Sequence, residues 1–435
     1  MTHQLKDGGQ VMQVGMLARV EGEGGMHIAF KDGKVETVHL NIFEPPRFYE
    51  GFLRGRRFTE PPDITARICG ICPVAYQSAS TEAMETICGA TTTDAIQDMR
   101  RLLYCGEWIE SHSLHIFMLH APDFLGYDSV LEMAKDHPEV VQTALRLKKA
   151  GNDLMTAVGG RAIHPVNVKV GGFYRMPTVA EVARLRPALA RGRDDALEAV
   201  ALVAGFDFPD FEQDYTYVAL RHPDRYPLER GTEVVATSGV RFPVSEIAQH
   251  VEEFHVEHSN ALHARFDGHP YLVGPLARYT LNFDQLSPST QDAAFRAGLT
   301  EECRNPFKSI IVRTVELAYA FEEALRIIDH WQDGHAPSVQ VDARPGEGIG
   351  ASEAPRGLIW HRYRIDADGI IEDAQIVPPT SQNQASIEQD LRRAAEQWTD
   401  LDDHMLTHRC EEAIRNYDPC ISCATHFLDL RVKRS

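Results

Sequence analysis

The sequence predicts an α+β fold: a single large unit with a central helical bundle and peripheral antiparallel strands. Three observations carry this expectation. Apolar and polar residues alternate near the start of the chain and again near its end, the pattern of half-buried strands. Between these regions apolar residues recur at helical spacing over long stretches. No repeat and no low-complexity linker divides the 435 residues into separate domains.

Residues 11–43 read as strands. GMHIAFKDGKVETVHLNIF alternates on both sides of Asp32-Gly33, a hairpin turn signal. A Pro- and Arg-rich stretch follows. Helical periodicity starts near Arg67 and continues to about residue 160, with Asp98–His120 as a long helix candidate. Segment 159–173 has glycines at both ends and Pro165 inside, so it reads as a loop or bent turn. Residues 178–204 and 289–334 are helical again, and 208–285 is mixed. A second strand pair is expected at 357–377, turning at Asp366-Ala367-Asp368-Gly369, and a helix from about Ser386. The one domain thus has an N-terminal strand region (1–65), a mainly helical core (66–340), C-terminal strands with a metal-binding end (341–426) and a tail (427–435).

Charge narrows the partners. There are 44 basic and 63 acidic residues, a formal charge of −19. That excludes nucleic acid as an expected ligand and argues against anionic membrane surfaces. No apolar run is long enough for a membrane span. The start, MTHQLKDGGQ, has no basic region followed by an apolar stretch, so a cytoplasmic protein is expected.

Of the eight cysteines, Cys88, Cys105, Cys303 and Cys410 are isolated and read as small buried apolar residues. The other four form two Cys-x-x-Cys pairs, Cys69/Cys72 and Cys420/Cys423, near opposite ends of the chain. Two such pairs build a four-thiolate metal site if the fold brings them together. Structural zinc is one reading, although zinc pairs ordinarily lie close in sequence. A thioredoxin-like redox pair needs a βαβ unit, which the pattern lacks.

The flanking residues separate these readings. The first pair stands in Arg67-Ile68-Cys69-Gly70-Ile71-Cys72-Pro73-Val74-Ala75-Tyr76, the second in Asp418-Pro419-Cys420-Ile421-Ser422-Cys423-Ala424-Thr425-His426. Further blocks are Arg19-Val20-Glu21-Gly22, Arg47-Phe48-Tyr49-Glu50, Gly159-Gly160-Arg161 with His164-Pro165, Glu353-Ala354-Pro355-Arg356-Gly357, and Pro379-Thr380 with Asn383. Together, and in this order, they resemble the motifs of nickel–iron hydrogenase large (catalytic) subunits. The Pro73–Tyr76 and Ser422–His426 stretches resemble the cytoplasmic, pyridine-nucleotide-coupled branch, also called sulfhydrogenases.

The resemblance implies that Cys69, Cys72, Cys420 and Cys423 ligate nickel, and that Cys72 and Cys423 also bridge to an iron carrying carbonyl and cyanide. Soft thiolates suit a redox-active nickel, and selectivity over zinc then comes from geometry and delivery. It implies reversible splitting of H2, with Cys420 taking the proton and Glu21 carrying it onward; a carboxyl in a mostly dry site suits that work. Glu23, two residues on, is the competing carrier. Arg356 would lie over the open side of the metals, fixed by Asp418. Pro379 and Thr380 would meet the diatomic ligands of the iron. Glu50, His426 and the carbonyl near Ile376 would hold a magnesium or second iron ion.

Two positions depart from the common family pattern. Tyr76 stands where many members have His, and Ser111 where many have Asp, which leaves the cage of Arg356 one carboxylate short. His112, His115 and His120 read as packing or polar-network residues. In the family the precursor is usually cut after the last motif's His, so 427–435 is expected to be removed by a maturation protease after nickel-insertion proteins have acted. The chain has no cysteine set for iron–sulfur clusters, and Gly346-Glu347-Gly348-Ile349-Gly350 lacks dinucleotide-loop spacing. Electrons should therefore leave through a small subunit with iron–sulfur clusters, then flavin subunits, to NAD(P). Arg161 and His164 are candidates for the face that meets the small subunit. A deazaflavin, a ferredoxin or a membrane-linked acceptor is the alternative. Remote alternatives are a structural zinc protein and a non-enzymatic scaffold like the quinone-site subunit of complex I.

Overall fold

The computed structural model describes Thr2–Gln4 as strand backbone and residues 10–426 in full. The tail expected at 427–435 lies outside the described residues.

Long helices form the centre. Asp94–Leu114 packs along Pro138–Gly159 and against Ser309–His330, which in turn packs on Arg186–Ala204. The Ser309–His330 helix is buried on nearly all sides, as expected for a helix apolar around most of its circumference. The Asp94–Leu114 helix begins with Thr93 as N-cap and continues into a π-type turn, His115–His120. The helical run expected over 289–334 is two helices, Pro288–Arg296 and Ser309–His330, parted by a loop.

All strand pairings among the named sheets are antiparallel. At the N-terminus Thr2–Gln4, Gln10–Val14, Gly24–Lys31 and Lys34–Ile42 form one sheet in chain order. Its last hairpin turns at Asp32 and Gly33, both with positive φ (49° and 74°), as a two-residue hairpin loop demands. The second sheet joins Gly346–Ala354, Gly357–Ile365 and Ile371–Val377. Residues 351–361 of this sheet are all buried.

Gly346–Ala354 was not expected as a strand. It lies against the Pro73–Cys88 helix. A Cβ at Gly350 would collide with the helix backbone at Ala79 and Ala83. The glycines of this run therefore serve close packing of strand on helix. Segment 159–173 contains a small hairpin, Val168–Lys169 with Gly172–Phe173. The helix expected from Ser386 starts earlier, at Pro379, with proline in its first turn. Among the described residues no helix is long and apolar enough to cross a membrane.

Candidate metal centre

The two Cys-x-x-Cys pairs meet. Cys72 is the N-cap of the Pro73–Cys88 helix, and Cys69 precedes it in an extended residue. Cys420 leads into the short helical turn Ile421–Ala424, which contains Cys423. The sulfurs of Cys69 and Cys420 are 3.4 Å apart, and those of Cys72 and Cys423 are 3.6 Å apart. All four lie within 4.8 Å of one another, buried and without a disulfide. Four converging sulfurs of this kind suit one soft metal ion.

The sulfurs are not equivalent. The N–H groups of Ile71 and Cys72 each donate to Cys69 Sγ at 3.3 Å. Contacts with the Cys420, Cys423 and Cys72 sulfurs hold the Cys69 pKa well below the usual thiol range. Burial, and then the neighbouring sulfurs, push the Cys420 thiol well up. Of Cys69 and Cys420, it is therefore Cys420 that keeps a proton more readily.

Glu21 reaches that sulfur. Its Oε2 accepts from Cys420 Sγ at 3.1 Å and from the Ser422 N–H at 3.1 Å. The Ile421 N–H also donates to the Glu21 carbonyl at 3.0 Å. Glu23 is exposed, and its N–H points to Glu44. The geometry therefore favours Glu21 over Glu23 at Cys420.

Arg356 lies on the tight turn between strands Gly346–Ala354 and Gly357–Ile365. Its Nε donates to the Asp418 carbonyl at 2.7 Å and its Nη2 to Asp418 Oδ1 at 3.0 Å. Burial opposes the guanidinium charge, but Asp418 and the cysteine sulfurs outweigh it and raise the pKa of Arg356 well up. Gly274 (φ 117°) lies beneath, where a Cβ would come within 2.7 Å of the Arg356 carbonyl. Glu353 is engaged elsewhere, with Arg278 at 3.1 Å. Thr380 Oγ1 accepts from the Cys420 N–H at 3.1 Å, at the first turn of the Pro379–Gln397 helix.

A second polar group gathers beside Cys423. Glu50 Oε1 accepts from the Ile376 N–H at 2.8 Å. His426 Nε2 is 2.6 Å from the Ile376 carbonyl, while Nδ1 contacts the Cys423 carbonyl. Burial pushes His426 down to about 4. A neutral imidazole has one N–H for these two acceptors. A cation shared by one ring nitrogen and its carbonyl would resolve that conflict.

The family description "Nickel-dependent hydrogenase" matches residues 47–158 and 244–426. The chain belongs to the nickel-dependent hydrogenase family. The sulfhydrogenase 1 alpha subunit of Pyrococcus furiosus is 33% identical over 95% of this chain and 97% of its own length. The beta subunit of the NAD-reducing hydrogenase HoxS of Cupriavidus necator is 27% identical over 95% of this chain and 94% of its own. A solved NAD+-reducing [NiFe]-hydrogenase in the H2-reduced state superposes with a TM-score of 0.87, at 25% identity, over 96% of this chain and 99% of that one.

The hydrogenase also uses residues that the sequence does not single out. Glu107 accepts the N–H groups of Val74 and Ala75 at 2.6 and 3.2 Å, closing the helix start behind Cys72. Arg47 Nη2 donates to the Ile68 carbonyl at 2.8 Å and also to the Ser422 carbonyl, so one side chain ties the residue before Cys69 to the residue before Cys423. Arg47 opens the block Arg47-Phe48-Tyr49-Glu50, but that block does not specify this bridge. Arg313 is a second buried arginine facing Asp418; burial pushes it down to about 10. The three helix histidines bind protein groups: His112 to Glu316 at 3.1 Å, His115 to the Arg415 carbonyl at 2.8 Å and His120 to Asn416 at 3.0 Å. Near the sulfurs, Arg356 Nη1, Tyr76 Oη and Asp418 Oδ2 are buried without a partner among the described residues, and so is Ser111 Oγ.

Proposed function

We propose that this chain is the catalytic subunit of an NAD(P)-linked hydrogenase, with Cys69, Cys72, Cys420 and Cys423 holding nickel and with Cys72 and Cys423 shared by iron. The observation that carries the reading is the convergence of four buried sulfurs, one of them Cys420, with a carboxylate oxygen of Glu21 3.1 Å from it. The buried orphan donors Arg356 Nη1 and Tyr76 Oη fit a metal group bearing acceptor atoms, such as carbonyl and cyanide. When bound, the nickel–iron group supplies the electrophile and electron sink on which H2 is split heterolytically.

The chain's own residues then handle the proton and the charge. Cys420 Sγ accepts the proton and passes it to Glu21 Oε2. Ser422 N–H holds that oxygen towards the sulfur. Asp418 fixes Arg356, whose buried Nη1 has no hydrogen-bond partner among the described residues and would be left to meet a group on the metals. Thr380 Oγ1 already accepts from Cys420 N–H, so its own hydrogen is available to a cyanide, with Pro379 as the apolar wall. Glu50, His426 and the Ile376 carbonyl would hold a magnesium or second iron ion.

Electrons leave through a partner. Ile163 and Tyr174 are 56% and 67% exposed beside the middle motif, and Phe52 is 59% exposed in a groove lined by Arg47, Tyr49 and Arg67. His164 Nδ1 contacts the Ala66 carbonyl, which links that surface to the segment carrying Cys69. This face suits an iron–sulfur small subunit, followed by flavin subunits and NAD(P), in a cytoplasmic assembly. The NAD-reducing relatives support that acceptor. Relatives named F420-non-reducing give the deazaflavin alternative no support.

Metal analysis of the purified complex tests the reading. Nickel and iron together, with infrared bands from carbonyl and cyanide, are expected; a zinc-only protein without those bands rules it out. Reduction of NAD or NADP under hydrogen tests the acceptor. In Glu21→Gln the bands should persist while hydrogen–deuterium exchange is largely lost, and near-normal exchange would refute the role of Glu21.

A further inference from the structure

A second set of ligand-type side chains gathers away from the cysteines, where three elements meet. His258 and His263 flank the turn that leads into the strand His263–Phe266, and Glu388 lies midway along the Pro379–Gln397 helix. His258 Nε2 is 2.7 Å from Glu388 Oε1, and His263 Nε2 is 3.4 Å from Oε2. One ligand atom from each of the three lies within 4.8 Å of the others. The Leu40 N–H donates to Glu388 Oε1 at 2.9 Å and so fixes the carboxylate from the N-terminal sheet. His39 stacks on His258 with ring centroids 3.9 Å apart and planes 7° apart, which fixes the ring plane of His258. His27, the cross-strand partner of His39, comes next at 6.0 Å.

We propose that His258, His263 and Glu388 form a second metal site, for a divalent transition ion of the zinc class, which fastens the N-terminal sheet and the 258–263 turn to the helix that carries Thr380. Two imidazoles and one carboxylate are a borderline donor set. It suits Zn²⁺, Co²⁺ or Ni²⁺, whereas Mg²⁺ and Ca²⁺ call for oxygen ligands. Three protein ligands leave a place for water, as open zinc sites do. The side chains of His258 and Glu388 are 22% and 18% exposed, so an ion can enter, while His263 at 3% anchors the floor. Both Nε2 atoms already face the carboxylate, so binding needs each neutral ring to carry its one proton on Nδ1, which leaves the Nε2 lone pair for the metal.

The proposal does not depend on the electron acceptor or on the roles given to Glu21 and Arg356. Its test is titration of the purified complex with Zn²⁺ alone after a chelator wash, reading bound zinc by elemental analysis and unfolding temperature by calorimetry. One zinc per chain beyond the metals retained through the wash, with a rise in unfolding temperature, is expected. Glu388→Gln keeps an acceptor for the Leu40 N–H. It should lose most of that zinc and the temperature rise, with nickel, iron and hydrogen oxidation unchanged when no zinc is added. The same loss is expected in His258→Ala/His263→Ala. Should that double variant fail to fold, Glu388→Gln decides alone. Wild-type complex that binds no extra zinc, or Glu388→Gln that binds it equally, would overturn the site.

Discussion

Cys69/Cys72 and Cys420/Cys423 have the same spacing but are held by different kinds of structure. The first pair is set by its own neighbourhood. It opens a helix of sixteen residues, its N–H groups turn onto Cys69 Sγ, and Glu107 closes the helix start. The second pair sits in a helical turn of four residues, too short to define its own geometry. Distant groups hold it: the Glu21 backbone and carboxylate, Arg47, Thr380 and the Ile376 carbonyl on His426. Half of the centre can form with its helix, and the other half forms only when the N-terminal segment and the second sheet are in place. Loss of tertiary contacts should therefore unseat Cys420 and Cys423 first.

The largest effect erases the comparison. Cys72→Ala and Cys420→Ala should each abolish nickel retention and hydrogen oxidation, because a ligand lost from either pair opens the site. Elemental analysis and a hydrogen-uptake assay read both. Appreciable nickel in either variant would mean that the sulfurs do not act as one site.

Arg47→Ala sharpens the comparison. It removes the side chain that ties the two pairs and leaves every ligand present. Loss of a supporting contact of this kind costs roughly 10–100-fold in metal affinity. Nickel occupancy should fall accordingly, and Arg47→Lys should restore part of it, since both carbonyls are met by the single Nη2 nitrogen and one ammonium can donate to two acceptors. Glu107→Ala acts on the other pair. It leaves the buried Val74 and Ala75 N–H groups without acceptors, a cost of about 1–3 kcal/mol each. Glu107 meets the two N–H groups with two different oxygens, whereas an amide offers one oxygen and turns its NH2 towards the other N–H. Glu107→Gln should therefore recover only part of the stability in denaturant unfolding. Equal loss in both variants would show that the charge, not the acceptor, matters there.

The parts of this molecule legible in the sequence are those that local chemistry fixes. Asp32-Gly33 must turn because two positive φ angles are required. Cys69 and Cys72 announce themselves because metal geometry imposes a short spacing. Other features depend on what approaches from far along the chain. The strand Gly346–Ala354 has glycines where the cysteine helix presses on it, which removes the β-branched pattern by which strands are read. The helix expected from about Ser386 starts at Pro379, because a proline in the first turn opens a helix as readily as it ends one. Glu107 and Arg313 look like ordinary helix residues until the Val74 and Ala75 N–H groups, 33 and 32 residues away, and Asp418 near the chain's end are known to face them. The cluster of His258, His263 and Glu388 was invisible for the same reason, since its ligands come from a turn and a helix that meet only in the fold.

The smallest expected effect concerns the brace behind the second pair. His115 and His120 hold Arg415 and Asn416, just before Asp418 and Cys420. Burial, against the pull of Asp123, pushes His120 from 6.5 down to about 3. Between these values the folded chain keeps His120 neutral while the unfolded chain protonates it. The unfolded state then binds more protons, so this residue's contribution to stability falls as pH is lowered through that window. The slope is about 1 kcal/mol per pH unit for one such group. His120→Gln retains a donor for Asn416 Oδ1 and removes the titration. Its stability relative to wild type should therefore rise by about 1 kcal/mol between pH 6.5 and 5.5 in denaturant unfolding. Because the brace supports Cys420 and Cys423 rather than the first pair, mild acid should also release nickel from wild type sooner than from this variant. A constant difference across that range would mean that His120 is solvated and that its link to the second pair is only steric.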